Sequence, residues 1–384
     1  MLRFAQHDRP VVAAKGHAAL HGQRQFAPSQ KLDKRFMLKS IKRTLLGGLK
    51  GARVFELLAS SEWRRSRLLI LCYHGVSLAD EHEWDSALYI SPTLFERRMA
   101  ILKAGGYSVL PLGEAVERLR DGSLPSRSVA ITFDDGVWDF YPQAYPILKK
   151  HGFPATVYLT TYYCNYNRPV FNVFCAYLLW KARGKVVEAN PSLGLDQRAD
   201  LRIPEAREKA RAGIVEFAHR KGLSGEAKDE LARELAQYLG LPYDEFLRKR
   251  ILHILRPDEV SELASDGIDF ELHTHRHRVP LQQDLFEREI QDNRMWIQKM
   301  TGRNPSHFCY PSGESHSEFF PWLRQLGVVS ATSCIPGFAT TQSDSLLLPR
   351  LVDVTSLGDV EFEGWLAGVS SFLPRRSRAR QLDE

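Results

Sequence analysis

No stretch of eighteen or more consecutive apolar residues occurs in the 384-residue chain, which excludes a helix spanning a bilayer. Cysteine is scarce and odd in number. Cys72, Cys164, Cys175, Cys309 and Cys334 include no Cys-x-x-Cys pair, so neither a disulfide framework nor a thiolate zinc site is indicated. Buried free thiols and a reducing compartment are the expectation. The charged opening lacks the continuous apolar core and small-residue cleavage site of an export signal. No internal repeat is evident. The formal charge of +6 is local, since residues 1–67 carry fifteen Lys and Arg against four acids. No recognised nucleic-acid-binding fold or aromatic interleaving accompanies that charge, so nucleic acid is not an expected partner.

A 43% hydrophobic chain of this length can bury a large core. Residues 1–35 mix Gln, His, Pro, Gly and Lys without periodicity and are expected to be a disordered leader. Residues 36–66 form a basic amphipathic segment, with Leu38, Ile41, Leu45, Leu49 and Ala52 at helical spacing. Two readings stand for it: a helix on an anionic membrane surface, or one packed on the main domain with a solvated basic face. Residues 373–384 form a basic tail. With no export signal and unpaired cysteines, the chain is expected on the cytoplasmic side, peripheral at the inner membrane.

The organising stretch is Val129-Ala130-Ile131-Thr132-Phe133-Asp134-Asp135-Gly136, a β-branched apolar run ending at two carboxylates and a glycine. It reads as a buried strand of a parallel sheet. In such sheets chemistry gathers beyond the carboxyl ends of the strands. One aspartate could ligate a metal while the other handles protons, provided the chain turns at Gly136. A second short strand, Asp269 to Leu272, runs into His273, His275 and His277. Four residues apart after a strand end, His273 and His277 can present imidazoles to one side, and imidazole with carboxylate is a usual ligand set for zinc.

Together these stretches resemble the polysaccharide deacetylase family, carbohydrate esterase family 4, whose first motif is Thr-Phe-Asp-Asp-Gly and whose second is His-Ser/Thr-x-x-His. The resemblance extends to Leu71-Cys72-Tyr73-His74-Gly75-Val76 and to Phe308-Cys309-Tyr310-Pro311-Ser312-Gly313, which looks like the third motif. It implies an α/β fold, a distorted (β/α)7-type barrel, and a metal-dependent hydrolase of N- or O-acetylated saccharides. By the same resemblance Asp134 is the general base. Asp135, His273 and His277 are the ligands of a divalent ion, most readily Zn2+. The backbone N–H of Ser312 is the oxyanion donor.

Two departures stand out. Cys309 replaces the family's third-motif arginine, and Arg350 is the candidate substitute; the Leu-x-His that carries the family's general acid is absent. His74, His275 and His316 are the available histidines, none in the expected motif. These gaps keep two alternatives open: a catalytically weak glycan-binding member, and an amidohydrolase acting on a small non-sugar amide. An open cleft with aromatic platforms such as Trp138, Tyr162 or Tyr166 would favour a saccharide polymer.

Strand and helix alternate through residues 67–372, as a parallel barrel requires. The exception is 162–256, which reads as an inserted helical subdomain because it is far too long for a βα loop.

Overall fold

The structure, a computed structural model, describes residues 41–373. The leader expected at 1–35 and the tail beyond residue 373 lie outside the described residues. Eight strands form one sheet: β1 (Leu69–Tyr73), β2 (Ser108–Val109), β3 (Ser128–Phe133), β4 (Thr156–Leu159), β5 (Asp269–Leu272), β6 (His307–Cys309), β7 (Ser330–Thr332) and β8 (Leu351–Val352). The order is β7-β6-β5-β4-β3-β1-β8, every pairing is parallel, and β2 joins the start of β3. The ring closes between β7 and the chain entering β8, where Leu348 N–H donates to Ala331 O and Ser333 N–H to Leu348 O. Every residue of β1 and β3 is buried, as continuous apolar strands covered on both faces should be.

Local chemistry sets the surrounding helices. In α1 (Pro92–Ala104), Ser91 Oγ accepts from Leu94 N–H at 3.2 Å and Pro92 takes the first turn. Next come α2 (Leu112–Arg120) and α3 (Ala144–His151), the latter closed by left-handed Gly152. The excursion between β4 and β5 holds α4 (Phe171–Lys181), α5 (Pro204–Arg220), α6 (Gly225–Tyr238), α7 (Tyr243–Arg248) and α8 (Pro257–Ser265). Its apolar residues belong to the same hydrophobic cluster as the barrel strands, so it is welded on and does not hang free. Tyr177 hydroxyl and Lys181 Nζ both bind Asp80, anchoring α4 on the loop after β1. Helix α4 has no polar stripe, because it is buried nearly all round, which is why periodicity does not reveal it. After β5 come α9 (Gln283–Thr301), α10 (Phe319–Gln325) and α11 (Asp359–Ala367).

The N-terminal helical residues 41–51 and Val54–Ala59 pack on α11. The inward residues are Leu46, Phe55 and Ala59, against Ala367 and Val369. Of the apolar stripe, Ile41 is 55% and Leu45 50% exposed, whereas Leu46, outside it, is fully buried. Arg43 and Lys50 pair with Glu361 and Glu363 on α11, so part of the basic face is committed within the protein.

Candidate metal centre and active site

At the end of β3 the Asp134 N–H still donates to Tyr73 O at 2.9 Å, so Asp134 continues the sheet. The chain then turns sharply, Asp135 at φ +71° and Gly136 at φ +76°. A side chain on Gly136 would collide with Leu159 at 2.3 Å. The end of the excursion braces this turn: Leu255 N–H donates to Gly136 O and Trp138 N–H to His253 O, at 2.9 and 2.8 Å. The turn sends the two carboxylates to different partners.

Asp135 meets the histidines of the β5 end. Its Oδ1 lies 3.1 Å from His273 Nε2 and 3.0 Å from His277 Nε2, and all three residues are buried. His273 Nδ1 donates to the Cys309 carbonyl at 2.8 Å, which turns Nε2 toward the Asp135 carboxylate. What lies between them is a proton on Nε2 or, in its place, a metal ion. Burial disfavours the Asp135 carboxylate, yet His277 and His273 hold its pKa well below the usual range. Burial likewise opposes a charge on His273, but Cys309 and Asp135 raise its pKa well above that of a free imidazole. Zinc with ~2.0 Å bonds sets neighbouring N and O ligands roughly 3.3 Å apart. The Asp135, His273 and His277 atoms lie within 4.8 Å of one another, so the residues present fit a divalent ion.

Helix α9 templates the loop carrying these histidines. Asn293, fully buried, accepts from His273 N–H through Oδ1 at 2.9 Å and donates through Nδ2 to Leu159 O and Thr161 Oγ1. One turn earlier, Glu289 accepts from Arg276 N–H at 2.7 Å, and its carbonyl accepts from His275 N–H. Thr274 at φ +61° and His277 at φ +55° are held in left-handed conformations by this clamp.

Asp134 faces Arg350, which enters from the chain just before β8. The pair is bidentate, Nη1 to Oδ1 and Nη2 to Oδ2 both at 2.7 Å, and Arg350 is wholly buried. Arg350 Nε donates to Ser333 O and Nη1 also to Thr132 Oγ1. Burial works against an ionised Asp134, but the guanidinium overrides it and holds the carboxyl below the usual range. The Cys72 and Cys309 thiols donate to Oδ2 at 3.5 and 3.4 Å. Arg350, the candidate substitute for the third-motif arginine, is thus paired with Asp134.

Of the three histidines considered for the acid, His74 alone lies in this cluster, with Nε2 3.8 Å from Asp134 Oδ2. His275 bonds Thr161 Oγ1 and packs edge-on to Tyr162, while His316 is exposed against Phe319. Ser312 follows β6 in a left-handed turn at φ +58°. Of the expected platforms, Tyr162 is 36% exposed beside Tyr166, whereas Trp138 lies beneath Arg250 and bonds Glu259. Sequence reasoning had His74 only as one of three available histidines and passed over the two thiols and Asn293. The one available signal was that Tyr73-His74-Gly75, like Phe133-Asp134-Asp135-Gly136, places polar residues directly after a buried strand.

The sequence model of the polysaccharide deacetylase family matches residues 121–331, more than half of the chain. This chain belongs to the polysaccharide deacetylase family. It is 30% identical over 101 residues to the poly-beta-1,6-N-acetyl-D-glucosamine N-deacetylase of Escherichia coli (strain K12), covering 26% of this chain and 15% of that protein. It is 40% identical over 72 residues to the protein of the same name from Staphylococcus aureus (strain MSSA476), covering 19% and 25%. The chain thus matches a third or less of the length of these curated relatives. Among solved structures, the Streptococcus pyogenes deacetylase PplD in complex with acetate aligns over 77% of this chain and 96% of that one. The TM-score is 0.51 at 19% identity, a likeness of fold. Within the family, Arg350 and His74 are notable because both lie outside the matched stretch.

Proposed function

We propose that this family member is a metal-dependent hydrolase that removes acetyl groups from acetylated saccharides, the amide of an N-acetylated sugar being the favoured bond. One observation carries the reading: Asp135, His273 and His277 converge beside a second carboxylate, Asp134, that an internal arginine keeps ionised. The names of the Escherichia coli and Staphylococcus aureus relatives support the amide and the sugar.

Asp135 Oδ1, His273 Nε2 and His277 Nε2 would hold the ion, and the imidazole and carboxylate donors favour zinc. Such an ion supplies Lewis acidity, acidifying a water and polarising the acetyl carbonyl. Asp134 would take a proton from the attacking water as general base. Arg350 keeps it charged at the expense of basicity, so it serves only a water already made acidic. His74, with Nε2 3.8 Å from Asp134 Oδ2, donates a proton to the departing nitrogen. The Ser312 backbone N–H is the proposed donor to the oxyanion. Tyr162 would offer a sugar ring a partly exposed aromatic face.

We also propose a reducing, cytoplasmic location, supported by five free thiols, with the exposed Ile41 and Leu45 as a peripheral membrane contact. Membrane association that resists neither salt nor removal of those two side chains is expected, and recovery of the enzyme from the periplasm would refute the placement.

The deciding experiment measures acetate release from a panel of N- and O-acetylated oligosaccharides, with and without a chelator, alongside elemental analysis of the purified protein. Chelator-sensitive release from an N-acetylated member is expected. Saccharide binding without release from any substrate, in protein carrying its ion, would overturn the reading in favour of a glycan-binding role.

A further inference from the structure

The machinery around Asp134 contains sulfur that hydrolysis does not call for. Cys72 and His74 lie two residues apart at the end of β1, and both approach the same oxygen: Cys72 Sγ is 3.5 Å and His74 Nε2 3.8 Å from Asp134 Oδ2. All three ligand atoms lie within 4.8 Å of one another. Tetrahedral zinc, with bonds of ~2.0 Å to N and O and ~2.3 Å to S, sets N and O ligands roughly 3.3 Å apart and S roughly 3.5 Å from either. The Cys72 edge matches at 3.5 Å, and the His74 edge, at 3.8 Å, needs a small inward shift of the imidazole. His74 Nδ1 is buried without a hydrogen-bond partner among the described residues, so no group on that side fixes the ring's tautomer. Asp134 and Cys72 are buried and His74 half-buried, which shields a bound ion from water while leaving an entry past the imidazole.

We propose that Cys72, His74 and Asp134 form a second cation site, selective for thiophilic divalent ions and inhibitory when filled. Binding exchanges the Cys72 S–H proton for the ion: the S–H bond breaks, a sulfur–metal bond forms and the proton leaves to solvent. The ion gains an anionic sulfur and a carboxylate, against the opposing charge of Arg350, which holds both oxygens of Asp134. That opposition makes this the weaker site, so it fills after the Asp135 centre. Thiolate ligation favours zinc, cadmium and cobalt over magnesium or calcium. The inhibitory consequence rests on the roles given to Asp134 and His74 above, because an ion held there occupies base and acid together. The binding itself does not depend on those roles.

The test is a titration of the full chain with cobalt, following the near-ultraviolet sulfur-to-cobalt charge-transfer band, with cadmium stoichiometry by equilibrium dialysis. The wild type is expected to take two equivalents, the band growing only with the second. Cys72→Ser should lose the band and keep the first equivalent, which also reports that it folds. Cys309→Ser should keep the band. His277→Ala should lose the first equivalent and retain the sulfur-ligated one. In activity assays, each enzyme scaled to its own maximum, excess zinc should inhibit the wild type, and Cys72→Ser should need at least about tenfold more, since even outer-shell partners of a metal are worth that much. A single equivalent, a second equivalent without the band, or a band that survives Cys72→Ser would overturn the proposal. A sulfur band without the first equivalent would instead overturn the Asp135 centre and leave this site standing.

Discussion

Replacing Arg350 by methionine isolates what the buried pair contributes. Arg350 is wholly buried and Asp134 nearly so, and both of the carboxylate's oxygens are held at 2.7 Å. Removing one member of such a pair leaves an uncompensated buried charge, which costs about 3–5 kcal/mol. The pH dependence follows from the sign of the shift. In the wild type Asp134 has a folded pKa depressed by Arg350, so its stabilising contribution is present above the unfolded value, ~3.9, and disappears only as pH falls through the folded pKa. The acid limb of activity is then not set by Asp134. In Arg350→Met burial is no longer opposed, the carboxyl pKa rises, and Asp134 is protonated at a pH where the wild type keeps it charged. Chemical denaturation at several pH values and the pH profile of kcat measure the two effects. The variant should lose most stability at neutral pH and recover part of it in acid, while its acid limb moves upward. The double variant Asp134→Asn, Arg350→Met should be more stable than the sum of the single losses predicts. A loss below about 1 kcal/mol, as for an exposed pair, with an unmoved acid limb would refute the reasoning.

Asp134→Asn keeps the size and loses the basicity, so turnover should fall at least about a hundredfold while the ion stays bound by elemental analysis; loss of the ion would mean that the two aspartates exchange roles. His74→Gln should lower kcat about a hundredfold on an N-acetylated sugar, yet much less on an activated aryl acetate, whose leaving group needs no proton. Equal losses on both substrates would remove His74 from the acid role. Asn293→Ala unties His273 from α9 and should weaken metal affinity by about 10–100-fold, read by competition with a chelating dye. A variant that is merely less stable, with unchanged affinity, would make Asn293 a packing residue.

The residues that touch their sequence neighbours were legible without the fold. A buried β-branched run stopping at Asp134-Asp135-Gly136 announces a parallel strand and a turn, and His273 and His277 are brought to one side by the chain between them. Ser91 with Pro92, and Gly152 and Gly302, mark helix ends through backbone chemistry alone. Other features depended on barrel closure. Arg350 is 216 residues from Asp134 and reaches it because β8 lies beside β1, itself beside β3. Cys72 and His74 join the site for the same reason, and Asn293 because α9 covers β5. Helix α4 escaped detection because burial on all sides erases the periodicity that marks a surface helix. The sequence left open which way residues 41–51 face, because Ile41, Leu45 and Leu46 are equally apolar, and only the position of α11 selects Leu46. Local sequence determines what one strand or one turn can present; which side chains meet across the barrel is set by strand order and register, which no single segment encodes.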